Sequence, residues 1–297
     1  MTTAGTRTRL FDGLLAGLCD DAALFPPGNL PLAEAVPAHA EHLTSGHRRL
    51  VGPFIVAAAD LPALAPLLAE RETGSFEVAV TVPAPDRLTA ALTVAAGVPA
   101  VEVVALEVAV PAGTDPGRVV PALDAAVGGR PDLGVYVELP RDERRPALLA
   151  SLAGTRYHAK LRTGGVRADL YPDEHELAAA VVACVSAGVP FKATAGLHHA
   201  VRNTDPATGI EQHGFLNVLA AVDAAQRGVA TAEVAALLAE RDAPTIAARV
   251  AGLQERAVPV RDAFRSFGTC SIDDPRDELT ALGLLDPITH ATDQGAR

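Results

Sequence analysis

The stretch "YHAKLRTGGVRADLYPDEHELAAAVVACVSAGVPFKATAGL", residues 157–197, decides the fold because it reads as a strand, a helix and a second strand. Residues 157–163 and 190–195 alternate apolar and polar side chains, which is the period of a β-strand. Between them, residues 173–187 are rich in alanine, valine and leucine and open on an aspartate, as helices often do. Two strands joined by a helix favour a parallel pair in one sheet.

The same alternation of strand and helix runs along the whole chain. Strands are predicted at residues 23–27, 49–57, 76–82, 100–108, 133–139, 157–163, 190–195 and 263–272. Helices are predicted at residues 32–43, 61–70, 86–96, 116–126, 141–152, 173–187 and 274–282, with three more at 215–227, 231–241 and 244–253. Eight such units predict a single-domain (β/α)8 TIM barrel over residues 1–297, with extra helices between strands seven and eight. The alternative, an open doubly wound sheet, usually carries a glycine-rich phosphate turn, and the sequence has no GxGxxG or GxxxxGK[ST] motif.

Charge and composition exclude several classes of partner. The formal net charge of −11 disfavours nucleic acid and anionic membrane surfaces, because the overall field repels polyanions. No apolar run is long enough to span a bilayer, and the first 21 residues lack the apolar core of a signal peptide, so we expect a cytoplasmic protein. The three cysteines are far apart and odd in number, which favours free thiols.

Lysine is rare in this chain, and its two positions are informative. Lysine and arginine together number 25, of which only Lys160 and Lys192 are lysines. Both fall on the polar, inward-facing parity of adjacent predicted strands, and Arg162 shares that parity. Arginine stays protonated, whereas a lysine amine beside other cations can become neutral and attack a carbonyl. The alternative is that each lysine is held in a buried ion pair with Glu138 or with an acid of strand four.

The motifs around the two lysines carry a family resemblance. Lys160 opens a K-x-x-T-G motif with Thr163 and Gly164, and Lys192 lies in "FKATAG". These segments resemble strands six and seven of class I aldolases of the deoxyribose-phosphate aldolase type. The resemblance implies that Lys160 forms a Schiff base with the substrate and that Lys192 keeps its amine neutral enough to attack; Arg162, which shares their inward parity, is a further cation that would do the same.

Two further segments extend the resemblance to strands four and eight. Glu102 in "VEVV" resembles the acid of the family's fourth strand, although Glu107 on the same strand has the opposite parity and only one of the two can point inward. "FRSFGTCS" is similar to the family's phosphate-binding strand and matches it at Gly268 and Ser271. After the second lysine the family continues with two glycines, where this chain has "AGLHHAVR".

Histidines in the long loop after strand seven suggest a second function. His198, His199 and His213, together with Glu211, are residue types that bind Zn²⁺ or a similar divalent ion. A metal-dependent lyase or hydrolase is therefore an alternative to Schiff-base chemistry. Without a metal, the same histidines are candidates for substrate contacts or for proton transfer. A third alternative is a barrel that binds a ligand without catalysis.

The sequence thus predicts a cofactor-independent Schiff-base aldolase or lyase that acts on a small, oxygen-rich aldehyde, sugar or keto acid. The cationic side chains suggest an anionic group on that substrate, and a homo-oligomer is left open. The predicted catalytic residues are Lys160, Lys192, Glu102 and Glu138. The predicted substrate-binding residues are Arg162, Thr163, Thr194, His198, His199, Gly268 and Ser271.

Overall fold

The computed structural model describes residues 11–69 and 74–286 of the chain, and eight parallel strands form its centre. They are β1 (Cys19–Asp21), β2 (Val51–Ala57), β3 (Phe76–Val82), β4 (Val101–Val108), β5 (Gly134–Glu138), β6 (His158–Arg162), β7 (Phe191–Thr194) and β8 (Phe264–Thr269). The strands close into a barrel in which each pairs with its sequence neighbours and β8 pairs with β1. The predicted (β/α)8 barrel is confirmed.

Helices cover the outside of the barrel. They are α1 (Leu32–Thr44), α2 (Leu61–Leu68), α3 (Leu88–Ala96), α4 (Pro116–Val127), α5 (Arg145–Leu152), α6 (Glu174–Ser186), α7 (Phe215–Gln226), α8 (Thr231–Ala239), α9 (Ala243–Ala251), α10 (Ala257–Ala263) and α11 (Asp273–Ala281). Asp115, Asp173 and Asp242 each accept a backbone hydrogen bond at the start of α4, α6 and α9, which satisfies N–H groups that the helix leaves free. No helix in residues 11–69 and 74–286 is long and apolar enough to cross a membrane.

The extra helices between β7 and β8 are present as predicted, with two additions. A short antiparallel hairpin pairs Asn203–Thr204 with Glu211–Gln212 before α7 begins. The helix α10 was not predicted, because its seven residues include Pro259 and two valines and show no helical period. Two sequence-based expectations fall partly outside the described ranges. The predicted helix 61–70 ends on Glu70, and the assessment of a signal peptide includes residues 1–10.

The first strand was placed wrongly from the sequence. The apolar residues 23–27 form turns around a cis Pro26–Pro27 bond, whereas the strand is Cys19–Asp21. Two adjacent aspartates predict a loop, since buried carboxylates need buried partners. Those partners come from distant parts of the chain: Asp20 turns inward to Lys192, and Asp21 accepts a hydrogen bond from His39 of α1 at 2.9 Å.

Alternation along the strands separates an apolar outer layer from a polar interior. Phe191 and Ala193 of β7 are buried in the main hydrophobic core, which lies between the strands and the helices. Lys192, between them, points into the barrel. Among the described residues, a small apolar cluster around Ile55 and Ala79 lies inside the barrel, beside buried charged and polar side chains such as Glu107, Lys192 and Ser266. This arrangement leaves the barrel axis available for chemistry.

Candidate active site

Strand register brings the polar side chains of β5, β6 and β7 to one level of the barrel. Lys160 on β6 is paired in register with Glu138 on β5 and with Lys192 on β7. Both lysines are almost fully buried, with 6 % and 1 % of their surface exposed. The predicted inward parity of these strands is confirmed, and it concentrates charge where water is largely excluded.

Glu107 of β4 lies between the two lysines. Lys160 Nζ is 2.7 Å from Glu107 Oε2, and Lys192 donates to Glu107 Oε1. Burial alone would raise the pKa of Glu107, but the two ammonium groups outweigh burial and lower it to about 2. Glu107 is therefore a permanent anion that joins the two lysines.

Asp20 of β1 binds the second lysine and was not predicted from the sequence. Lys192 donates to Asp20 Oδ2, and Ser266 donates to the same oxygen at 2.7 Å. Burial favours a neutral Lys192, but Asp20 and Glu107 outweigh it and hold the pKa of Lys192 above its usual value. Burial raises the pKa of Asp20, and Lys192 only partly offsets this. One rule could have pointed to such a residue from the sequence: a buried lysine needs a buried acid as its partner, so Lys192 required one.

Glu138 and Arg162 complete the charged group on the other side of Lys160. Lys160 Nζ is 3.2 Å from Glu138 Oε2, and Arg162 donates to Glu138 Oε1 at 2.9 Å. Burial raises the pKa of Glu138, but Lys160 and Arg162 outweigh it, so that the pKa lies below its usual value. Three cations thus meet three carboxylates, and the buried ion pairs that the sequence left as an alternative are present.

Glu102 does not lie in this group, in contrast to the prediction from its "VEVV" context. It lies near the amino-terminal end of β4, is exposed, and accepts a hydrogen bond from Ser75. Glu107 points into the barrel towards the two lysines and lies near the carboxyl end of the strand, the end at which barrels place their functional groups. The placement of functional groups at the carboxyl ends of barrel strands would have favoured Glu107 over Glu102 from the sequence.

Thr163 and Gly164 of the K-x-x-T-G motif have structural contacts. Thr163 is fully buried and its hydroxyl donates to the Ala195 carbonyl at 2.5 Å, so it is not presented to a substrate. Gly164 packs against Gly196, and a Cβ at Gly164 would lie 2.7 Å from the Gly196 Cα. Ala195 and Gly196 both have positive φ, a conformation that the Thr163 hydrogen bond helps to hold. The motif therefore joins the ends of β6 and β7.

The two adjacent histidines have different partners. His198 Nδ1 lies 3.3 Å from the Cys270 sulfur, and burial lowers the pKa of His198 while it raises that of Cys270. His199 is half-exposed, and Glu278 of α11 lies 2.5 Å from its Nδ1 and raises its pKa. Ser271, predicted to contact substrate, accepts a hydrogen bond from Asp274 N at the start of α11.

His213 and Glu211 are also held away from the other histidines. His213 Nε2 donates to the Pro172 carbonyl at 2.8 Å, and Glu211 binds Arg241 and Thr204. Throughout residues 11–69 and 74–286, no group of three or more His, Cys, Asp and Glu side chains is arranged to hold a metal ion. The four residues of the alternative metal site are therefore not brought together.

A cavity of about 670 Å³ opens above the charged group, at the carboxyl ends of the strands. Of the two lysines, Lys160 lines this cavity, whereas Lys192 lines a separate cavity of about 390 Å³ near the other end of the barrel. The predicted site residues that line the main cavity are Glu138, Lys160, Arg162, Thr194, His198 and Gly268, and Glu107 joins them. A ligand in this cavity therefore meets Lys160 with its carboxylate partners.

Comparison with known proteins identifies the architecture. No protein-family model matches the chain, and no curated protein matches it. Among solved structures, the deoxyribose phosphate aldolase from Aeropyrum pernix superimposes with a TM-score of 0.51 and 14 % sequence identity, covering 94 % of this chain and 99 % of that one. The two proteins share one fold. At this identity the Aeropyrum aldolase, which is described as tetrameric, supports the barrel and assigns no residue its role.

Proposed function

We propose that this protein is a Schiff-base lyase that makes or breaks a carbon–carbon bond next to a carbonyl group. The observation that carries the proposal is the position of Lys160, the one lysine of the chain that lines the cavity at the carboxyl ends of the strands. Active sites of (β/α)8 enzymes lie at this end of the barrel. The aldolase fold of the structural neighbour supports the same class of reaction.

Glu138 is the group that moves the proton in this mechanism. The Lys160 ammonium transfers a proton to Glu138, 3.2 Å away, and the neutral amine attacks the carbonyl carbon to give a carbinolamine. The protonated Glu138 then returns that proton to the carbinolamine hydroxyl, which leaves as water. An ammonium and a carbonyl are thereby converted into an iminium ion and water, with no net change in protonation of the protein.

The iminium ion is the electron sink for carbon–carbon bond chemistry. Loss of a proton from the adjacent carbon, or loss of a carbonyl fragment whose hydroxyl proton passes to a base, gives a neutral enamine, and the reverse step forms the new bond. Glu138 lines the cavity beside the reacting nitrogen, and its carboxylate accepts or returns the proton. Glu107 holds Lys160 in place through an ion pair at 2.7 Å, and Lys192 binds the other oxygen of the same carboxylate.

Exchange of α-protons tests the proposal directly. When the protein is incubated in D2O with simple aldehydes and ketones, deuterium should appear at the carbon next to the carbonyl, because the enamine takes up solvent deuterium. NMR of the carbonyl compound measures this exchange. Lys160→Arg keeps the charge and removes the attacking amine, so it should exchange no faster than buffer. Equal exchange by wild type and Lys160→Arg would refute the proposal and favour a barrel that binds its ligand without catalysis.

We also propose that the chain forms a homo-oligomer, as the Aeropyrum aldolase forms a tetramer. Light scattering during size-exclusion chromatography checks this, since the chain mass is 30.5 kDa. A single species of that mass across the accessible concentration range would contradict it.

A further inference from the structure

The main cavity has two chemically different halves. Its charged half comes from β4, β5 and β6, with Glu107, Glu138, Lys160 and Arg162. Its apolar half comes from β2, β3 and α3, next to β4 in the strand order, where the apolar lining side chains are Ile55, Ala57, Val82, Pro83, Ala90, Ala91 and Val94. On this side Thr81 is the one hydroxyl and Arg87 the one cation of the described lining, so a ligand attached to Lys160 extends across a mostly apolar surface that offers few partners to a string of hydroxyls.

The rim of the cavity is also apolar, and it is exposed. Among the described residues, four large apolar side chains are more than about a third exposed: Leu43, Val94, Val166 and Val258. Two of these four, Val94 and Val166, line the cavity. Val94 lies on α3 and Val166 follows β6, so the two lie on opposite sides of the mouth. Exposed apolar surface concentrated at a pocket mouth is typical of a site that binds an apolar group.

The charged groups near the cavity do not favour a bound anion. Arg162 is occupied by Glu138, and Lys160 by Glu107 and Glu138. Arg87 is the remaining cation of the described lining, and its side chain is 69 % exposed to solvent beside Asp86. The start of α11, where many barrels bind a phosphate, carries Asp273 and Asp274. A phosphate there would meet two carboxylates.

We propose that the substrate is an unphosphorylated carbonyl compound with an uncharged aliphatic or aromatic arm, which lies against β2, β3 and α3. This inference rests on the proposed function for the carbonyl and on the cavity lining for the arm. It differs from the sequence-based prediction of a small, oxygen-rich substrate with an anionic group. A cavity of about 670 Å³ is within the usual range for small-molecule sites and accommodates an arm of several carbons.

Binding of unreactive ligands tests the arm separately from the chemistry. Calorimetric titration compares straight-chain alcohols of four to eight carbons with the phosphate esters of the same alcohols. Affinity for the alcohols should rise roughly threefold to fourfold with each added methylene, as expected for burial of apolar surface. Each phosphate ester should bind at least about tenfold more weakly than its alcohol, because of the unmatched charge. Tighter binding of the esters, or no dependence on chain length, would overturn the inference.

Two matched variants locate the arm. Val94→Asp places a carboxylate at the apolar rim and should weaken binding of the longest alcohol by about tenfold. Val258→Asp adds the same charge to another exposed valine, on α10 outside the cavity, and should bind like wild type. Unchanged binding in Val94→Asp would place the alcohol elsewhere and contradict the proposal.

Aldehydes of the same chain lengths separate this inference from the proposed function. Borohydride reduction with these aldehydes reports Schiff-base formation, which the alcohols cannot undergo. Alcohol binding that grows with chain length, without any aldehyde adduct, would refute the lyase and retain the apolar site. Adducts whose yield is higher with phosphorylated than with apolar aldehydes would retain the lyase and refute the apolar arm.

Discussion

Lys160 Nζ lies 2.7 Å from Glu107 Oε2, and the second oxygen of the same carboxylate accepts from Lys192. Replacement of Glu107 by Gln therefore leaves two buried ammonium groups with fewer anions, and breaking a buried ion pair typically costs about 3–5 kcal/mol. We expect Glu107→Gln to lower the free energy of unfolding by about 3 kcal/mol, measured by urea denaturation. Glu102→Gln, on the exposed end of the same strand, is the control and should change it by less than about 0.5 kcal/mol. Equal effects of the two changes would show that Glu107 does not hold the lysines.

Stability should fall on acidification below about pH 6.5, in part because of His158. Burial, followed by the charges of Arg265 and Arg156, lowers the pKa of His158 to about 4. The unfolded chain takes up this proton near pH 6.5 and the folded chain only near 4, so the contribution is complete above 6.5 and is lost as the pH falls towards 4. His198 and His213, whose pKa values are also lowered by burial, add to the same trend.

His158→Phe should make that pH dependence shallower. The ring of His158 already packs edge-on against Tyr136 with 5.0 Å between centroids, and its buried Nδ1 has no hydrogen-bond partner among the described residues, so Phe suits the site. Urea midpoints at pH 6.5, 5 and 4 measure the effect. His175→Phe, at an exposed position on α6, controls for loss of an imidazole. Parallel curves for wild type and His158→Phe would contradict the assignment.

Thr163→Val should weaken the connection between β6 and β7. The change removes the hydrogen bond to the Ala195 carbonyl and should cost about 1–2 kcal/mol in unfolding free energy, measured by urea denaturation. Thr163→Ser keeps the hydroxyl and should recover most of the loss. If Thr163→Ser were as unstable as Thr163→Val, the methyl group rather than the hydrogen bond would be responsible.

Side-chain parity could be predicted from the sequence, because the period of a strand is two residues. "YHAKLRT" and "FKATA" therefore assign Lys160, Arg162 and Lys192 to the barrel interior without a structure. Parity alone could not decide between Glu102 and Glu107, because the register of β4 against β3 shifts between Val103 and Ala105, and the resemblance of "VEVV" pointed to Glu102, which lies outside the charged group. The position of Glu107 next to the end of β4 would have favoured it.

Features that depend on distant partners could not be predicted. The short strand Cys19–Asp21 has a loop-like sequence, and it is stable as a buried strand because Lys192, 172 residues away from Asp20, neutralises that carboxylate. Likewise, the histidines share a sequence neighbourhood, but α11 supplies Glu278 to His199, and Pro172 accepts from His213. The apolar half of the cavity forms where α3, which packs against β3 and β4, meets the carboxyl ends of β2 and β3, and no single segment of sequence reveals this.

The most direct test of the central claim is borohydride trapping with a panel of aldehydes and ketones, followed by intact-mass measurement and peptide mapping. Because the chain has only two lysines, an adduct is easily assigned. We predict one reduced adduct per chain, on Lys160, in wild type and none in Lys160→Arg. Adducts on Lys192 alone, or no adduct with any carbonyl compound in the panel, would contradict the account.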